Sequence, residues 1–501
     1  MSSPATKDLL VEDNPGDARL FREALRDSGG VPFQPESNPT AAAPAPPPEL
    51  ELPAAVAEPP VAAPLAGVSP SDCFATAVAL HLQGRGDEAL PYLDQARASG
   101  RNLPEVYSAL AQIHLERGRY GEAARAYQEL FQLDPENLAA LFNLALCHEA
   151  VGACREAVRT FEQVLVKAPD LLAAHLGLAA ARTRLGDIDP ACAAYRDCLD
   201  LQPDCFEAHF GLGIAFHAAR QYQAAVEAFS RARELHPGSP EAAANLACAH
   251  EGLAYTHYRA GQYQDACSHY EMVVNLNPRS FEGWYNLGAT RQQLGRPAEA
   301  EAAYREAIRL KPEALEPHLN LAIALEEQGQ AEEAVAEYQQ AIRREPRSVT
   351  ALYNLALLLE RRGRPAEAAR GYEGVLGVQE DFVEARFRLA LVRHQQREWE
   401  QAARRYQECL QSRPAWPEAW LNLGIVQAKL GRAPQAETAF QRCLEHSPDD
   451  PEALLGLAGL YLAAGRSEET RALYLKLVDL KPHRPEILFN AGLLEQKAGH
   501  P

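Results

Sequence analysis

Cysteine and histidine are the residues of this 501-residue chain that suggest chemistry most directly. Cys192, Cys198 and Cys205 lie near His175 and His209 in the sequence, and such a set raises the question of a zinc site. Their separations of six and seven residues do not match the compact ligand pairs of structural zinc modules. None of the ten cysteines belongs to a C-x-x-C pair. We therefore expect free thiols that are buried or partly exposed, no metal and no cofactor.

Motifs of the common enzyme classes are missing from the sequence. It has no G-x-x-x-x-G-K-[ST] phosphate loop, no H-E-x-x-H zinc helix and no G-x-S-x-G elbow. His114, His148 and His250 stand on the apolar stripe of predicted helices, so core packing explains them better than catalysis. The sequence predicts a protein that is not an enzyme.

The charge balance restricts the partners. The chain has 49 Lys and Arg against 68 Asp and Glu, a formal net charge of −19. Binding to nucleic acid draws mainly on Lys and Arg, so this class of partner is disfavoured. No apolar run approaches the ~20 residues that span a bilayer, and the N-terminus lacks the pattern of a secretory signal. We expect a soluble, cytoplasmic protein that does not insert into membranes.

A period of 34 residues organises the chain from Pro70 onward. Prolines recur at this spacing in two series: Pro135, Pro169, Pro203, Pro237, and Pro278, Pro312, Pro346, Pro414, Pro448, Pro482. In each period an i, i+3, i+4, i+7 apolar stripe indicates a first helix. A glycine that follows indicates a turn. An alanine, with an aromatic residue four places later, then indicates a second helix. The pattern predicts twelve helix pairs and one final helix, each pair shielding the next.

These features resemble the tetratricopeptide repeat, and the resemblance covers residues 70–501. It implies an all-α fold, a right-handed superhelical α-solenoid in which the first helices line a concave groove. It also implies a scaffold that binds other proteins.

Three departures from the repeat carry their own expectations. Arg220 and Arg397 replace the glycine between the helices, so those turns should close differently. Glu380 replaces the proline after a second helix, which should leave that end less sharply stopped. One step is 41 residues, seven longer than the others, and places the excess in Glu241–Ala260. We expect a first helix about two turns longer there, either as a tolerated insertion or as a docking ledge.

The N-terminal region has a different character. An apolar stretch ends in Glu12 and Asp13 and is followed by an amphipathic helix pattern. Residues 8–25 thus resemble the first strand and helix of a response-regulator receiver domain, truncated before any phosphoacceptor. We expect a receiver-like segment over 1–27 that does not accept phosphate, and a Pro- and Ala-rich linker over 28–69.

Asparagine recurs two places before the small residue of the first helix. The positions are Asn143, Asn245, Asn286, Asn320, Asn354, Asn422 and Asn490. An amide both donates and accepts, so such a column could bind the backbone of an extended peptide. A similar ladder lines the superhelix of O-linked N-acetylglucosamine transferase. Asn286, Asn320 and Asn354 are the strongest candidates; the alternative is that each amide bonds to a neighbouring helix.

A large apolar residue comes just before the asparagine place. These residues are Phe142, Tyr285, Leu319, Tyr353, Leu421 and Phe489, with Phe210 and Phe387 in repeats without the asparagine. They either offer binding anchors or pack between repeats. Arg388 stands where an asparagine is expected and Lys429 lies near, but basic residues are too sparse on this face for a strong carboxylate clamp.

The sequence thus predicts a non-enzymatic scaffold that binds protein or peptide segments in the concave groove, with no nucleic-acid partner. The alternative is a regulatory or substrate-recruiting subunit of a separate enzyme or signalling system, comparable to the repeat arm of a glycosyltransferase without its catalytic domain.

Overall fold

The structure is a computed structural model that describes residues 70–99, 103–480 and 485–497. In these ranges all regular structure is α-helical, which confirms the predicted all-α fold. The helices are α1 (Pro70–Leu82), α2 (Gly86–Ala98), α3 (Pro104–Glu116), α4 (Tyr120–Leu133), α5 (Leu138–Ala150), α6 (Cys154–Lys167), α7 (Leu172–Leu185), α8 (Ile188–Leu201), α9 (Phe206–Ala218), α10 (Tyr222–Leu235), α11 (Pro240–Arg259), α12 (Tyr263–Leu276), α13 (Phe281–Gln293), α14 (Pro297–Leu310), α15 (Leu315–Glu327), α16 (Ala331–Arg344), α17 (Val349–Arg361), α18 (Pro365–Val378), α19 (Val383–Gln395), α20 (Trp399–Ser412), α21 (Pro417–Lys429), α22 (Ala433–His446), α23 (Pro451–Ala463), α24 (Ser467–Leu480) and α25 (Pro485–Lys497). The receiver-like segment and the linker lie outside the described residues.

Odd-numbered helices up to α23 are the first members of pairs, and the even-numbered helices are the second members. The helices form two compact units, one ending at Gly283 and one starting at Trp284. Within each unit, helices pack against their neighbours in sequence. In the described part of the chain, no helix is both long and apolar enough to cross a membrane.

The pairing rests on a small residue of the first helix facing a large ring of the second. The side chains of Tyr304, Tyr338 and Tyr372 are among the largest that are fully buried. A Cβ atom added to Gly424 would come within 2.7 Å of the Cδ1 atom of Phe440, so glycine is what lets that ring sit there. Because ring and small residue keep a fixed separation in sequence, the same contact repeats every 34 residues.

The two arginines between helices adopt the backbone conformation of the glycines they replace. Arg220 has a φ of 59° and Arg397 a φ of 62°, beside values of 69–80° for the glycines at this place. The amide of Arg220 donates to the His217 carbonyl at 2.9 Å, as the Gly186 amide donates to Thr183 at 3.0 Å. The expectation that these turns close differently is wrong, because the turn hydrogen bonds outweigh a cost of about 1–2 kcal/mol for a left-handed residue.

The end of α18 is also regular despite Glu380. The helix has 14 residues, and the Gln379 amide donates to the Val375 carbonyl at 2.8 Å. The same bond caps the other second helices of typical length, for example from Lys311 to Ala307 at 2.9 Å. The expectation of a less sharply stopped end is wrong, since the capping bond rather than the proline defines the boundary.

The seven-residue excess lengthens one helix, as predicted. Helix α11 has 20 residues, whereas most first helices have 13. Gly252 lets it pack closely against α10, because a Cβ there would lie 2.5 Å from the Cε1 atom of Tyr222. The far half of α11 and the start of α10 bound a surface cavity of about 430 Å³ that Leu253 and Thr256 help to line.

Candidate functional site

The asparagines of the predicted binding column each occupy the sixth place of a first helix or of α25. Two of them bond to their own helix. The Nδ2 atom of Asn245 donates to the Glu241 carbonyl at 2.9 Å, and that of Asn422 donates to the Glu418 carbonyl at 2.8 Å. These two amides therefore have their donor occupied locally.

Three other asparagines bond to tyrosines of neighbouring helices. Nδ2 of Asn320 donates to the Tyr285 hydroxyl at 3.1 Å, and Nδ2 of Asn490 donates to the Tyr474 hydroxyl at 3.2 Å. Burial raises the pKa of Tyr127 to about 12. The side-chain hydrogen bond between Asn143 and the Tyr127 hydroxyl partly offsets this rise. In these repeats the amide bonds to a neighbouring helix, which was the alternative to peptide binding.

Asn286 and Asn354 keep unused hydrogen-bonding capacity. Asn286 is only 2% exposed, and both its Nδ2 and its Oδ1 atoms are buried without a hydrogen-bond partner. The Nδ2 atom of Asn354 is likewise buried without a hydrogen-bond acceptor. A buried polar group left unpaired costs about 1–3 kcal/mol, so these atoms mark a place where a ligand would gain binding energy.

The same helices carry a row of partly buried carboxylates that the sequence reasoning missed. The Tyr338 hydroxyl donates to Oε1 of Glu326 at 2.6 Å, and the Tyr372 hydroxyl donates to Oε2 of Glu360 at 2.6 Å. Burial raises the pKa of Glu326, and its bond from Tyr338 works in the opposite direction. Both glutamates are the twelfth residues of their helices, and that regular spacing in sequence was a signal that could have found them.

Each of these carboxylates also has an arginine from the following pair. Nη1 of Arg361 lies 3.8 Å from Oε2 of Glu326, and Nη1 of Arg388 lies 3.8 Å from Oε1 of Glu360. Arg388 therefore faces a carboxylate already present in the protein. The charge of Lys429 lowers the pKa of His394 further, after the larger effect of burial.

The same row continues with neutral groups at α13. The Tyr304 hydroxyl donates to Oε1 of Gln292 at 3.0 Å, and Nε2 of Gln292 donates to Oε1 of Glu327 at 3.2 Å. These contacts link α13 to α15, α15 to α17 and α17 to α19. We call Asn286, Asn320, Asn354 and Arg388 with their partners the polar row.

The aromatic candidates are buried in the walls of this surface. Tyr285, Tyr353 and Phe387 are each less than a tenth exposed. The Tyr353 ring lies 5.8 Å from that of Tyr372, and the Phe387 ring lies 4.4 Å from that of Trp416, centroid to centroid. These rings position the helices that carry the amides, and a direct role in binding stays a prediction.

The cysteines are free thiols, as expected, and most are buried. Burial raises the pKa of Cys147 to about 11 and that of Cys198 to about 12, which suppresses the reactive thiolate. Among the described residues, no group of three or more His, Cys, Asp or Glu side chains is arranged to hold a metal ion.

Comparisons with known families support the repeat architecture. Four family models described as tetratricopeptide repeat match the chain. One matches residues 181–240, 319–381, 360–419, 387–444 and 421–485, a second 245–313, a third 114–181 and a fourth 73–98. No curated protein sequence with which the chain was compared matches it.

Several solved structures are similar to the chain. The Cut9–Hcn1 hetero-tetramer of the APC/C matches at 13% identity over 85% of this chain and 96% of that one, with a TM-score of 0.31. YrrB, described as a tetratricopeptide-repeat protein with an unusual peptide-binding site, matches at 16% identity over 39% and 96%, with a TM-score of 0.32. The Naa15/Naa10 structure bound to HypK-THB matches at 16% identity over 86% and 73%, with a TM-score of 0.37.

The matched ranges, read together, extend from residue 73 to residue 485 and recur over most of the helix pairs. They coincide with helices in which a ring of the second member packs on a small residue of the first. The chain belongs to the tetratricopeptide-repeat family and is a protein-interaction scaffold.

Proposed function

We propose that the polar row binds an extended segment of a partner protein through the backbone of that segment. The observation that carries this proposal is Asn286, a buried amide with neither atom hydrogen-bonded. Asn354 adds a second buried donor without an acceptor. A peptide carbonyl and amide would satisfy these atoms, and the recovered energy favours the complex.

The spacing of the amides suits an extended chain. Packed helices lie about 8–10 Å apart, and an extended chain advances about 3.3 Å per residue. One amide per helix pair would therefore meet the peptide backbone about every third residue. Such contacts hold the chain without selecting its side chains.

The charged groups beside the amides set a further condition. Arg361 and Arg388 already face Glu326 and Glu360. A partner that relied on a free carboxylate would have to displace these carboxylates from their arginines. The arrangement therefore favours recognition of the peptide backbone over recognition of an acidic tail.

Selection and titration of peptides tests the proposal. A displayed library of random 12-residue peptides is selected on the full chain, and labelled peptides are then titrated by fluorescence polarisation. The double variant Asn286→Ala, Asn354→Ala should weaken binding about tenfold or more, because two hydrogen bonds to the peptide are lost. The matched control Asn245→Ala, Asn422→Ala removes two amides whose donors bond to their own helices, and it should leave affinity within about twofold.

Two results would contradict the proposal. The first is a selection that yields no peptide dependent on the chain. The second is an equal loss of affinity in both double variants, with circular dichroism showing both to be folded. In that case the contact surface lies elsewhere.

A further inference from the structure

Four first helices carry a glutamate as their twelfth residue, namely Glu149, Glu251, Glu326 and Glu360. Three of these carboxylates have an arginine from the following pair. The distances are 3.4 Å for Glu149 and Arg184, 3.8 Å for Glu326 and Arg361, and 3.8 Å for Glu360 and Arg388. The fold thus places a cation beside this carboxylate wherever it recurs, with one exception.

Glu251 is the exception. It is 8% exposed, and its Oε1 atom is buried with no hydrogen-bond donor. Among the described residues, no lysine, arginine or histidine forms an ion pair with it. The charged group that acts on Glu251 is another carboxylate, Glu282, which adds to burial in raising the pKa of Glu251 to about 7. The site is therefore short of one positive charge compared with its three counterparts.

The phenol of Tyr270 is left unpaired in the same place. Tyr270 is fully buried and its hydroxyl has no partner, whereas Tyr338 and Tyr372 each donate to their glutamates at 2.6 Å. Nineteen residues separate Glu251 from Tyr270, in place of the 12 that separate Glu326 from Tyr338. The seven-residue excess of α11 accounts for the difference.

Further electron-rich groups surround this pair. Burial raises the pKa of Tyr270 most, and electrostatic interaction with Glu251, Tyr258 and Tyr255 raises it further. Tyr255 and Tyr258 follow Glu251 by four and seven residues on α11, so the three side chains share one face of that helix. Glu251 likewise contributes, after burial, to the pKa of about 11 for Cys248. Tyr255 and Tyr258 are only half-buried, so this group reaches the surface.

These observations identify the missing component as a cation. A buried carboxylate gains most from a charge-assisted hydrogen bond, and phenol rings attract ammonium and guanidinium groups through their faces. An organic cation suits the site better than a metal ion, because the described side chains make no set of three metal ligands here. The net charge of −19 also favours the approach of basic protein segments.

We propose that Glu251, with Tyr255, Tyr258 and Tyr270, binds the side-chain ammonium or guanidinium group of a lysine or arginine from a bound protein segment. This site lies before Gly283 and is distinct from the polar row. It adds a side-chain specificity that recognition of a peptide backbone does not provide. The cation supplies to Glu251 the positive charge that Arg184, Arg361 and Arg388 supply to the glutamates of the other repeats.

Isothermal titration calorimetry of the full chain tests this site with defined probes. N-acetyl-lysine methylamide and N-acetyl-arginine methylamide supply the two cations, and the citrulline analogue is the neutral match for arginine. Glu251→Gln should weaken the two cationic probes about tenfold or more, because a charged hydrogen bond is lost. The control Glu241→Gln makes the same charge change at an exposed residue of the same helix and should alter affinity less than about twofold.

Proton release provides a second measurement on the unaltered protein. A cation stabilises the ionised form of Glu251, so binding should release nearly one proton per cation at about pH 6 and almost none at about pH 8.5. Surface carboxylates, which are ionised throughout this range, release none. This profile decides the question by itself if Glu251→Gln does not fold.

Three outcomes would overturn the proposal. The citrulline analogue could bind as tightly as the arginine probe, or Glu251→Gln and Glu241→Gln could bind the cations equally well. Tighter binding of 1,4-diaminobutane than of both amino-acid probes would overturn the assignment to a protein side chain and identify a free amine as the ligand. Selective binding of the capped lysine or arginine with the predicted proton release supports it.

Discussion

Replacing Asn286 by leucine should stabilise the protein while removing its binding function. Leucine puts two methyl groups in place of the Oδ1 and Nδ2 atoms, which are buried without partners. Each unpaired polar atom costs about 1–3 kcal/mol, and the substitution removes this cost. Part of the stabilisation is lost again, because leucine is larger than asparagine and overpacks the site. We expect a net gain of about 1–3 kcal/mol in the free energy of local opening around α13.

Hydrogen exchange followed by mass spectrometry is the suitable assay, because repeat arrays open in parts and a single unfolding midpoint would average over them. Exchange in α13 and α15 should slow in Asn286→Leu. The matched control is Asn422→Leu, which loses the 2.8 Å bond from Nδ2 to the Glu418 carbonyl. There we expect exchange in α21 to become faster, with a loss of about 0.5–1.5 kcal/mol.

The result that refutes this reasoning is faster or unchanged exchange in α13 of Asn286→Leu. It would mean that the amide is hydrogen-bonded in solution and is kept for stability. Slower exchange with unchanged peptide affinity would separate the two claims, since the buried amide would then be unsatisfied without serving binding. Stabilisation at the expense of binding is the expected combination, as at other functional sites.

Two further predictions concern stability. Burial, with a smaller effect of His269, lowers the pKa of His250 to about 4, so the folded state resists protonation. The contribution of His250 to stability around α11 should be constant above about pH 6.5 and fall as the pH drops towards 4, by up to about 1.4 kcal/mol per pH unit. Glu251, whose pKa is raised to about 7, contributes a slope of the opposite sign, so the test is the difference in hydrogen exchange between the unaltered chain and His250→Gln, and the exposed His446→Gln should show no such difference. Arg397→Gly should gain about 1 kcal/mol by relieving a φ of 62°, measured by urea unfolding. Arg404→Gly, in the middle of α20, should lose about 0.5–1 kcal/mol, and a loss in both variants would contradict the argument from strain.

The helix pairs could be predicted from sequence because their determinants are close together in the chain. A ring such as Tyr304 packs on Gly288 sixteen residues earlier, and the same separation returns in Phe440 and Gly424. A contact of this kind leaves a periodic trace that needs no knowledge of tertiary structure. The length of α11 followed from the same trace. Two overlapping repeat frames, one that starts at Pro240 and one that starts seven residues later at Ala247, both keep the apolar stripe.

The polar interactions were harder to predict. Glu326 and Arg361 are 35 residues apart and meet only because successive first helices pack side by side. The type and spacing of the asparagines left open whether each amide binds a peptide or bonds to a neighbouring helix. In the structure Asn320 donates to a tyrosine of another helix, Asn422 donates to its own helix, and the side chain of Asn286 has no hydrogen-bond partner. Which of these happens depends on the neighbouring side chain in space. Sequence periodicity does not contain that information.

The seven extra residues of α11 connect the long helix with the unpaired carboxylate. Seven residues are almost two full turns, so the insertion rotates the apolar stripe by only about 20° and leaves the packing intact. Counted from Ala247, the second of the overlapping frames has Tyr258 as its twelfth residue. Tyr270 accordingly interacts with a phenol where Tyr338 and Tyr372 bond a carboxylate. An insertion of five or nine residues would have turned the stripe by about 140° or 180°, to another face of the helix, and disrupted the packing. An insertion of seven residues keeps the packing. It leaves Glu251 and the Tyr270 hydroxyl without the hydrogen bond that joins Glu326 to Tyr338 and Glu360 to Tyr372.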